Sequence, residues 1–173
     1  MAISIFLFGF FPALLLAAAV YDLCTYTIPN LLPATLLGLF VIYMVVLFAA
    51  GDPLPLRSLA MHAGAAALAL SAGVALFAKG WIGGGDAKFF AAVCLWVGFG
   101  TMAEYTMAAS LAGGALTVLL LLIRRLPVGA FIKARWVLRL ADPEAGVPYG
   151  VALAIGAIMV LPYTDLFRLS GAH

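Results

Sequence analysis

Two aspartates lie at the ends of apolar runs in a chain that otherwise carries few charges. Asp22 stands in "YDLCTYTIPN" at the end of the first run, and Asp86 stands in "WIGGGDAKFF" at the start of a later one. Burying a carboxylate in hydrocarbon costs roughly 3 kcal/mol, so acids near a bilayer usually face a polar interior and have a task. Two neighbouring carboxyl groups can share one proton, one acting as base on a water and the other as acid toward a carbonyl. The pair therefore predicts water-mediated aspartyl hydrolysis, with the base and the acid left unassigned.

Each aspartate also has a purely structural interpretation. Asp86 follows three glycines and precedes an apolar run, which suits a helix N-cap in the positive end of the helix dipole. Asp22 suits a solvated position where a helix leaves the bilayer. The hydrolytic interpretation requires that both aspartates lie at the same face of the membrane.

The composition is that of an integral membrane protein. The chain has 173 residues, of which 66% are hydrophobic and only 9% are charged. We predict an all-α polytopic bundle that forms a single domain over residues 1–173. Six transmembrane helices are predicted: Ile3 to Tyr21, Leu31 to Ala50, Ser58 to Ala78, a short Ala87 to Gly98, Met102 to Ile123, and Tyr149 to Leu166.

Basic residues predict the orientation, because cytoplasmic segments of membrane proteins retain Lys and Arg. With the N-terminus outside, the inner segments hold Lys79, Lys88, Arg124, Arg125, Lys133, Arg135 and Arg139. The outer segments hold only Arg57 and Arg168. We therefore predict that both termini are extracytoplasmic and that Asp22 and Asp86 meet at the cytoplasmic face.

Residues around the aspartates are candidate substrate contacts. The glycines Gly83, Gly84 and Gly85 lack a Cβ, so they can adopt positive φ and let a peptide backbone pass close to Asp86. A flexible loop is their structural alternative. Lys88 is expected to extend toward the interface from another helix face.

The "TIPN" segment is expected to hold the Asp22 region between two helix ends. Pro29 biases the residue before it toward an extended conformation, and Asn30 is a natural N-cap for the second helix.

At these residues the sequence resembles the type IV prepilin peptidases, a family of Gly-x-Gly-Asp intramembrane aspartyl proteases. The resemblance rests on "YDLCTYTIPN", on "GGGDAK" and on "VPYGVALAIG", three motifs in the family's order. It implies that Asp22 and Asp86 are the catalytic pair, with Pro29, Asn30 and Tyr149 among the substrate-binding positions. It further implies cleavage of a prepilin or pseudopilin leader at the inner membrane of a bacterium, and an association with pilus assembly machinery.

The chain departs from the family's pattern in two places. The interval "LCTYT" lacks the basic residues often found between the first aspartate and Ile-Pro-Asn. The family's long members also carry a region with paired Cys-x-x-Cys motifs and methylate the mature pilin. We therefore expect the short form associated with Flp-type (Tad) pili, without methyl transfer.

Other chemistries have little support in the sequence. Cys24 and Cys94 lack Cys-x-x-Cys spacing and His62 is isolated, so we expect no metal site and no cofactor. A net charge of +2 does not indicate nucleic-acid binding. The inner loop 124–148 contains a possible interfacial helix over Val128 to Leu140, with Trp136 and basic residues at the lipid surface.

Two other classes of function remain open. A small proton- or cation-coupled transporter subunit could use the same two aspartates. A scaffold subunit of a secretion complex needs no ionisable pair.

Overall fold

The computed structural model describes residues 9–125 and 134–171, and every regular element in this part of the chain is a helix. The helices are α1 (Phe11–Thr25), α2 (Leu31–Ala49), α3 (Leu56–Ala78), α4 (Gly84–Ile123), α5 (Arg135–Leu140), α6 (Tyr149–Val160), a 3-10 turn (Leu161–Tyr163) and α7 (Asp165–Gly171). The predicted all-α class is confirmed for these residues. The beginning of the first predicted helix, residues 3–8, lies outside them.

The helices have the length and surface of membrane-embedded elements. Helices α2, α3 and α4 are long and apolar enough to cross a bilayer, and α1 and the α6 region form shorter apolar helices. Many large apolar side chains face outward, among them Val41, Val45, Phe48, Leu68, Leu111 and Val118. Such a surface is stable in hydrocarbon, where lipid tails are as apolar as the side chains.

Helix α4 replaces two predicted helices, Ala87 to Gly98 and Met102 to Ile123, with one element that folds back on itself. Its backbone leaves the helical region only at Gly98, with φ 72° and ψ 172°. The rings of Phe90 and Tyr105 stack with their centroids 5.3 Å apart. In a straight helix their Cα atoms would lie roughly 22 Å apart. Helix α4 is therefore a helical hairpin, and the predicted break becomes a single glycine.

His62 of α3 packs against the turn of this hairpin. A methyl group at Gly98 would lie 2.9 Å from Cε1 of His62. Carbonyls at a helix end lack intrahelical donors. The buried His62 ring satisfies one of them, because its Nδ1 donates to the Leu95 carbonyl at 2.8 Å. This contact joins α3 to the hairpin.

Trp96 connects three helices in the core. Its indole Nε1 donates to the Leu36 carbonyl of α2 at 3.0 Å. Its ring contacts those of Phe11, Phe40 and Tyr43, with centroids 4.8 to 5.7 Å apart. Helix α4 also packs against α3 and α6, and α1 packs against α6. The hairpin is thus the central element of the bundle.

The last predicted helix, Tyr149 to Leu166, ends early in the structure. Helix α6 stops at Val160, and a 3-10 turn containing Pro162 follows. Proline has no N–H for the helical ladder. Thr164 directly precedes α7, and its Oγ1 accepts a hydrogen bond from the Phe167 N–H at 3.4 Å.

The predicted interfacial helix, Val128 to Leu140, is observed only as α5, Arg135–Leu140. Residues 128–133 lie outside the described residues. Trp136 is exposed, as a lipid-surface side chain would be. Arg139, however, points inward to the end of α1, where its Nη1 donates to the Thr25 carbonyl at 3.2 Å.

We expect Gly98→Ala to destabilise the protein strongly. The φ and ψ of Gly98 lie in a region that essentially only glycine occupies, at a cost of about 1–3 kcal/mol for other residues. The added methyl would also collide with His62. Gly114→Ala is the control, because no atom lies within 4 Å of the methyl position there. Unfolding midpoints in mixed micelles should fall for the first variant alone, and an equal fall for both would contradict the hairpin.

Candidate active site

Asp22 lies near the end of α1 and is almost fully buried, with 3% of its surface exposed. Its Oδ2 accepts a hydrogen bond from the Gly150 N–H at 2.7 Å. This donor belongs to the first turn of α6, where backbone N–H groups lack helical acceptors and the dipole favours negative charge. The start of α6 therefore stabilises an ionised Asp22.

Asp86 lies in the first turn of α4 and is half-buried. The expected N-cap role for Asp86 is wrong, because Gly83 occupies the N-cap position. The Gly83 backbone is still a hydrogen-bonding partner of the Asp86 carboxyl. A methyl group at Gly83 would lie 2.8 Å from Oδ2 of Asp86, so glycine leaves the space that this carboxyl occupies.

The structure brings the two aspartates together through Ile28. Gly85, next to Asp86, and Gly150, which bonds to Asp22, both pack on Ile28. A methyl at Gly85 would lie 2.8 Å from the Ile28 carbonyl oxygen, and one at Gly150 would lie 2.7 Å from Ile28 Cδ1. Ile28 thus packs between the first turns of α4 and α6. The site is built from three helix ends at one end of the bundle.

The three glycines before Asp86 begin a helix and do not form an open loop. Their freedom to adopt positive φ is not used, because Gly83 has φ −72° and the following two are helical. The positive-φ glycines in the described residues are Gly51, Gly80 and Gly98. Gly84 faces the ring of Phe77, and Gly85 faces Ile28. Of these two, only Gly85 needs the missing Cβ, because a methyl there would lie 2.8 Å from the Ile28 carbonyl oxygen.

Pro29, Asn30 and Lys88 lie on the neighbouring face of the site. Asn30 stands at the N-cap position of α2, but its side chain makes no capping hydrogen bond. Its Oδ1 instead accepts from the Lys88 Nζ at 2.8 Å. This bond ties α2 to α4 beside a largely apolar cavity of about 390 Å³. Lys88 therefore points away from Asp86, as its helical position predicted.

Tyr149 opens α6 next to Gly150 and is half-exposed. Its ring packs over Gly113, where a methyl would meet Cε1 at 3.6 Å. Both residues line a cavity of about 470 Å³ between the second half of α4 and α6, and Phe90 lines it one turn below Asp86. Tyr149 thus lies between this cavity and the carboxylates.

Several residues of the site were not identified from the sequence. Gly150 follows Tyr149 in the quoted Pro-Tyr-Gly segment, which was a signal, yet its N–H contact with Asp22 requires the fold. Ile28 was noted only for its backbone. Tyr26 lies within the quoted "YDLCTYTIPN" segment but was not singled out, and Arg124 was named only as a signal for orientation. Among the described residues, no three His, Cys, Asp or Glu side chains group as metal ligands would.

Comparison with protein families gives one match over most of the chain. The profile of the type IV leader peptidase family matches residues 9–118. This range contains Asp22 and Asp86 and ends before Tyr149. Comparisons with curated proteins and with solved structures gave no match.

We expect Gly85→Ala to destabilise the site and Gly84→Ala to be tolerated. The methyl at position 85 would lie 2.8 Å from a carbonyl oxygen of Ile28, which can move only with its backbone. Overpacking of this kind costs about 1–3 kcal/mol. The methyl at position 84 would meet the Phe77 ring at 3.4 Å or more, an ordinary contact. Unfolding midpoints of the purified variants test this difference, and equal midpoints would argue against it.

Proposed function

Because this chain belongs to the type IV leader peptidase family, we propose that it is an aspartyl endopeptidase with Asp22 and Asp86 as its catalytic pair. Its substrate is the leader peptide of a Flp-type prepilin or pseudopilin, cut at the cytoplasmic face of the inner membrane. The observation that carries the proposal is that three helix ends hold Asp22 and Asp86 beside Ile28 at one end of the bundle.

The pair has the chemistry that peptide hydrolysis needs. One carboxylate takes a proton from water as the resulting hydroxide attacks the scissile carbonyl carbon. The other carboxyl gives its proton to the carbonyl oxygen, and a tetrahedral diol forms. The diol then collapses, the C–N bond breaks, and the amide nitrogen leaves with a proton from the pair. Like charges at close range favour one shared proton, the starting state of this cycle.

The charges of the described residues support a cytoplasmic site. Arg124 and Arg139 lie at the end of the bundle that holds Asp22, and basic residues are retained on the cytoplasmic side. Asp165 lies near Gly100 beside the turn of the α4 hairpin, and that turn is at the other end. The hairpin supplies two crossings, so six crossings with both termini outside fit this arrangement.

The substrate's position follows from the same geometry. A prepilin leader is cut just before an apolar helix, so the scissile bond must reach the carboxylates at the membrane surface. The cavity lined by Phe90 and Tyr149 lies between α4 and α6. The Cβ position of Gly83 lies 2.8 Å from Oδ2 of Asp86. These positions fit the expected substrate contacts, and the pilus assembly machinery would receive the product.

The first test is processing of a co-expressed Flp-type prepilin. Asp22→Asn and Asp86→Asn should each lower the cleavage rate at least about 100-fold, because an amide cannot take or give the proton. Asn at position 22 retains an oxygen that can accept from Gly150, so the fold should survive. Glu104→Gln is the control, since Glu104 is exposed and far along α4. Normal processing by either Asn variant would refute the pair, and an uncut prepilin with acid-dependent uptake would indicate the transporter.

The second test is the side of the membrane on which Cys24 lies. Cys24 is exposed two residues after Asp22, and Cys94 is buried. An impermeant maleimide should label Cys24 in inverted vesicles and not in intact spheroplasts, whereas Cys94 should react only after denaturation. Pro53→Cys, in the exposed loop after α2, should show the reverse sidedness. Labelling of Cys24 in intact spheroplasts would overturn the cytoplasmic site.

A further inference from the structure

Arg124, directly after the end of α4, binds three backbone carbonyls of the inner segment. Its Nε donates to Leu140 at 3.2 Å, and its Nη2 donates to Ala145 at 2.7 Å and to Gly146 at 2.8 Å. Leu140 is the last residue of α5, where carbonyls lack helical donors. The planar fork of arginine suits several acceptors at fixed angles. One side chain thus holds the chain that leads into α6.

The same guanidinium reaches the end of the helix that carries Asp22. Its positive charge acts on the side chain of Tyr26, the C-cap residue of α1. Tyr26 has φ 57° and ψ 30°, and in the described residues it alone among the non-glycines has a positive φ. That conformation costs a non-glycine residue roughly 1–2 kcal/mol. Its N–H donates to the Asp22 carbonyl at 2.7 Å, which closes α1.

Arg139 contacts Tyr26 from a second side. Its guanidinium lies 4.9 Å from the centre of the Tyr26 ring, and its Nη1 donates to the Thr25 carbonyl. The Tyr26 hydroxyl donates to the Arg139 carbonyl at 3.4 Å. Burial raises the pKa of Tyr26, while the charge of Arg124 opposes that shift. The hydroxyl therefore remains protonated near neutral pH and can donate.

Asp22 consequently has two supports, and Arg124 is linked to both. It holds Leu140, whose neighbour Arg139 contacts Tyr26, and it holds Gly146, which precedes α6. One support is the end of α1, closed by Tyr26. The other is the first turn of α6, which begins three residues after Gly146 and supplies the Gly150 N–H to the carboxylate. We propose that Arg124 is a positioning residue that keeps these two supports aligned, so that Asp22 faces Asp86 in a reactive arrangement. This role rests on the proposed peptidase function.

Comparison with Arg125 shows that charge alone does not account for the hydrogen bonds of Arg124. The two residues are adjacent and carry the same charge, so both serve equally as signals for a cytoplasmic segment. The side chain of Arg125 is exposed and makes no hydrogen bond or ion pair with the residues that the structure describes. The pair offers a matched comparison between Arg124, which binds backbone carbonyls, and the adjacent Arg125, which binds none of the described residues.

The test compares Arg124→Gln, Arg124→Lys and Arg125→Gln in the full chain, reconstituted in liposomes with a Flp-type prepilin. Misplacing a catalytic group by about 1 Å can cost on the order of 100-fold in rate. We expect kcat for Arg124→Gln to fall 10-fold to 100-fold with KM within twofold of the original chain. Lysine keeps the charge but lacks the fork, so Arg124→Lys should recover only part of kcat. Arg125→Gln should leave both constants unchanged.

A second measurement does not depend on cleavage. Hydrogen exchange at the Tyr26 and Gly150 amides, the two that bond to Asp22, should be several-fold faster in Arg124→Gln and unchanged in Arg125→Gln. If Arg124→Gln fails to fold, the same exchange measurement on Arg124→Lys serves instead, because lysine keeps the charge and removes only the fork that binds the carbonyls. Equal effects of the Arg124 and Arg125 variants on kcat and on exchange would overturn the positioning role. An original chain that leaves the prepilin uncut would refute the peptidase, while the exchange rates would still decide the role of Arg124.

Discussion

The arrangement at the end of the bundle that holds Asp22 depends on one hydrogen bond, from the Gly150 N–H to the Asp22 carboxylate at 2.7 Å. A carboxylate with 3% exposure next to hydrocarbon needs compensation for its lost hydration. The first turn of α6 supplies it with this backbone donor and with the helix dipole. The close approach requires glycine, because a methyl at position 150 would lie 2.8 Å from the acceptor oxygen. This one hydrogen bond therefore both docks α1 on α6 and compensates the buried carboxylate of Asp22.

The hairpin of α4 places the second aspartate relative to this bond. Its first half carries Asp86 in its first turn, and its second half packs against α6 beside Tyr149. A straight helix of this length could not contact the start of α6 with one half while holding Asp86 near Asp22. The reversal depends on Gly98, and His62 occupies the space that a side chain there would need. Gly98, which lies far from the two carboxyl groups, thus determines that both are held at the same end of the bundle.

Basic residues in this protein have two physical roles that the sequence does not separate. In the sequence, Arg124 and Arg139 serve as signals for orientation, because cytoplasmic segments of membrane proteins retain positive charge. In the folded chain their guanidinium groups bind backbone carbonyls, and that of Arg139 also contacts the Tyr26 ring. The same basic residues therefore also hold the segment before α6 against the end of α1. Lys88, bonded to Asn30 across 58 positions of the chain, joins α2 to α4 in the same way.

The sequence by itself determined the apolar helices, the position of the α4 break, the two aspartates and the family. The family profile that matches residues 9–118 confirms the last of these. These features are local, because hydropathy, glycine positions and short motifs are all read within a few turns of chain. The tertiary structure alone decided that Asp22 is held by Gly150, 128 positions away. It also decided that Gly85 packs on Ile28, that Asn30 binds Lys88 and does not cap α2, and that Arg124 reaches Tyr26. Such contacts depend on how helices cross, and the crossings follow from packing that no single stretch of the chain contains.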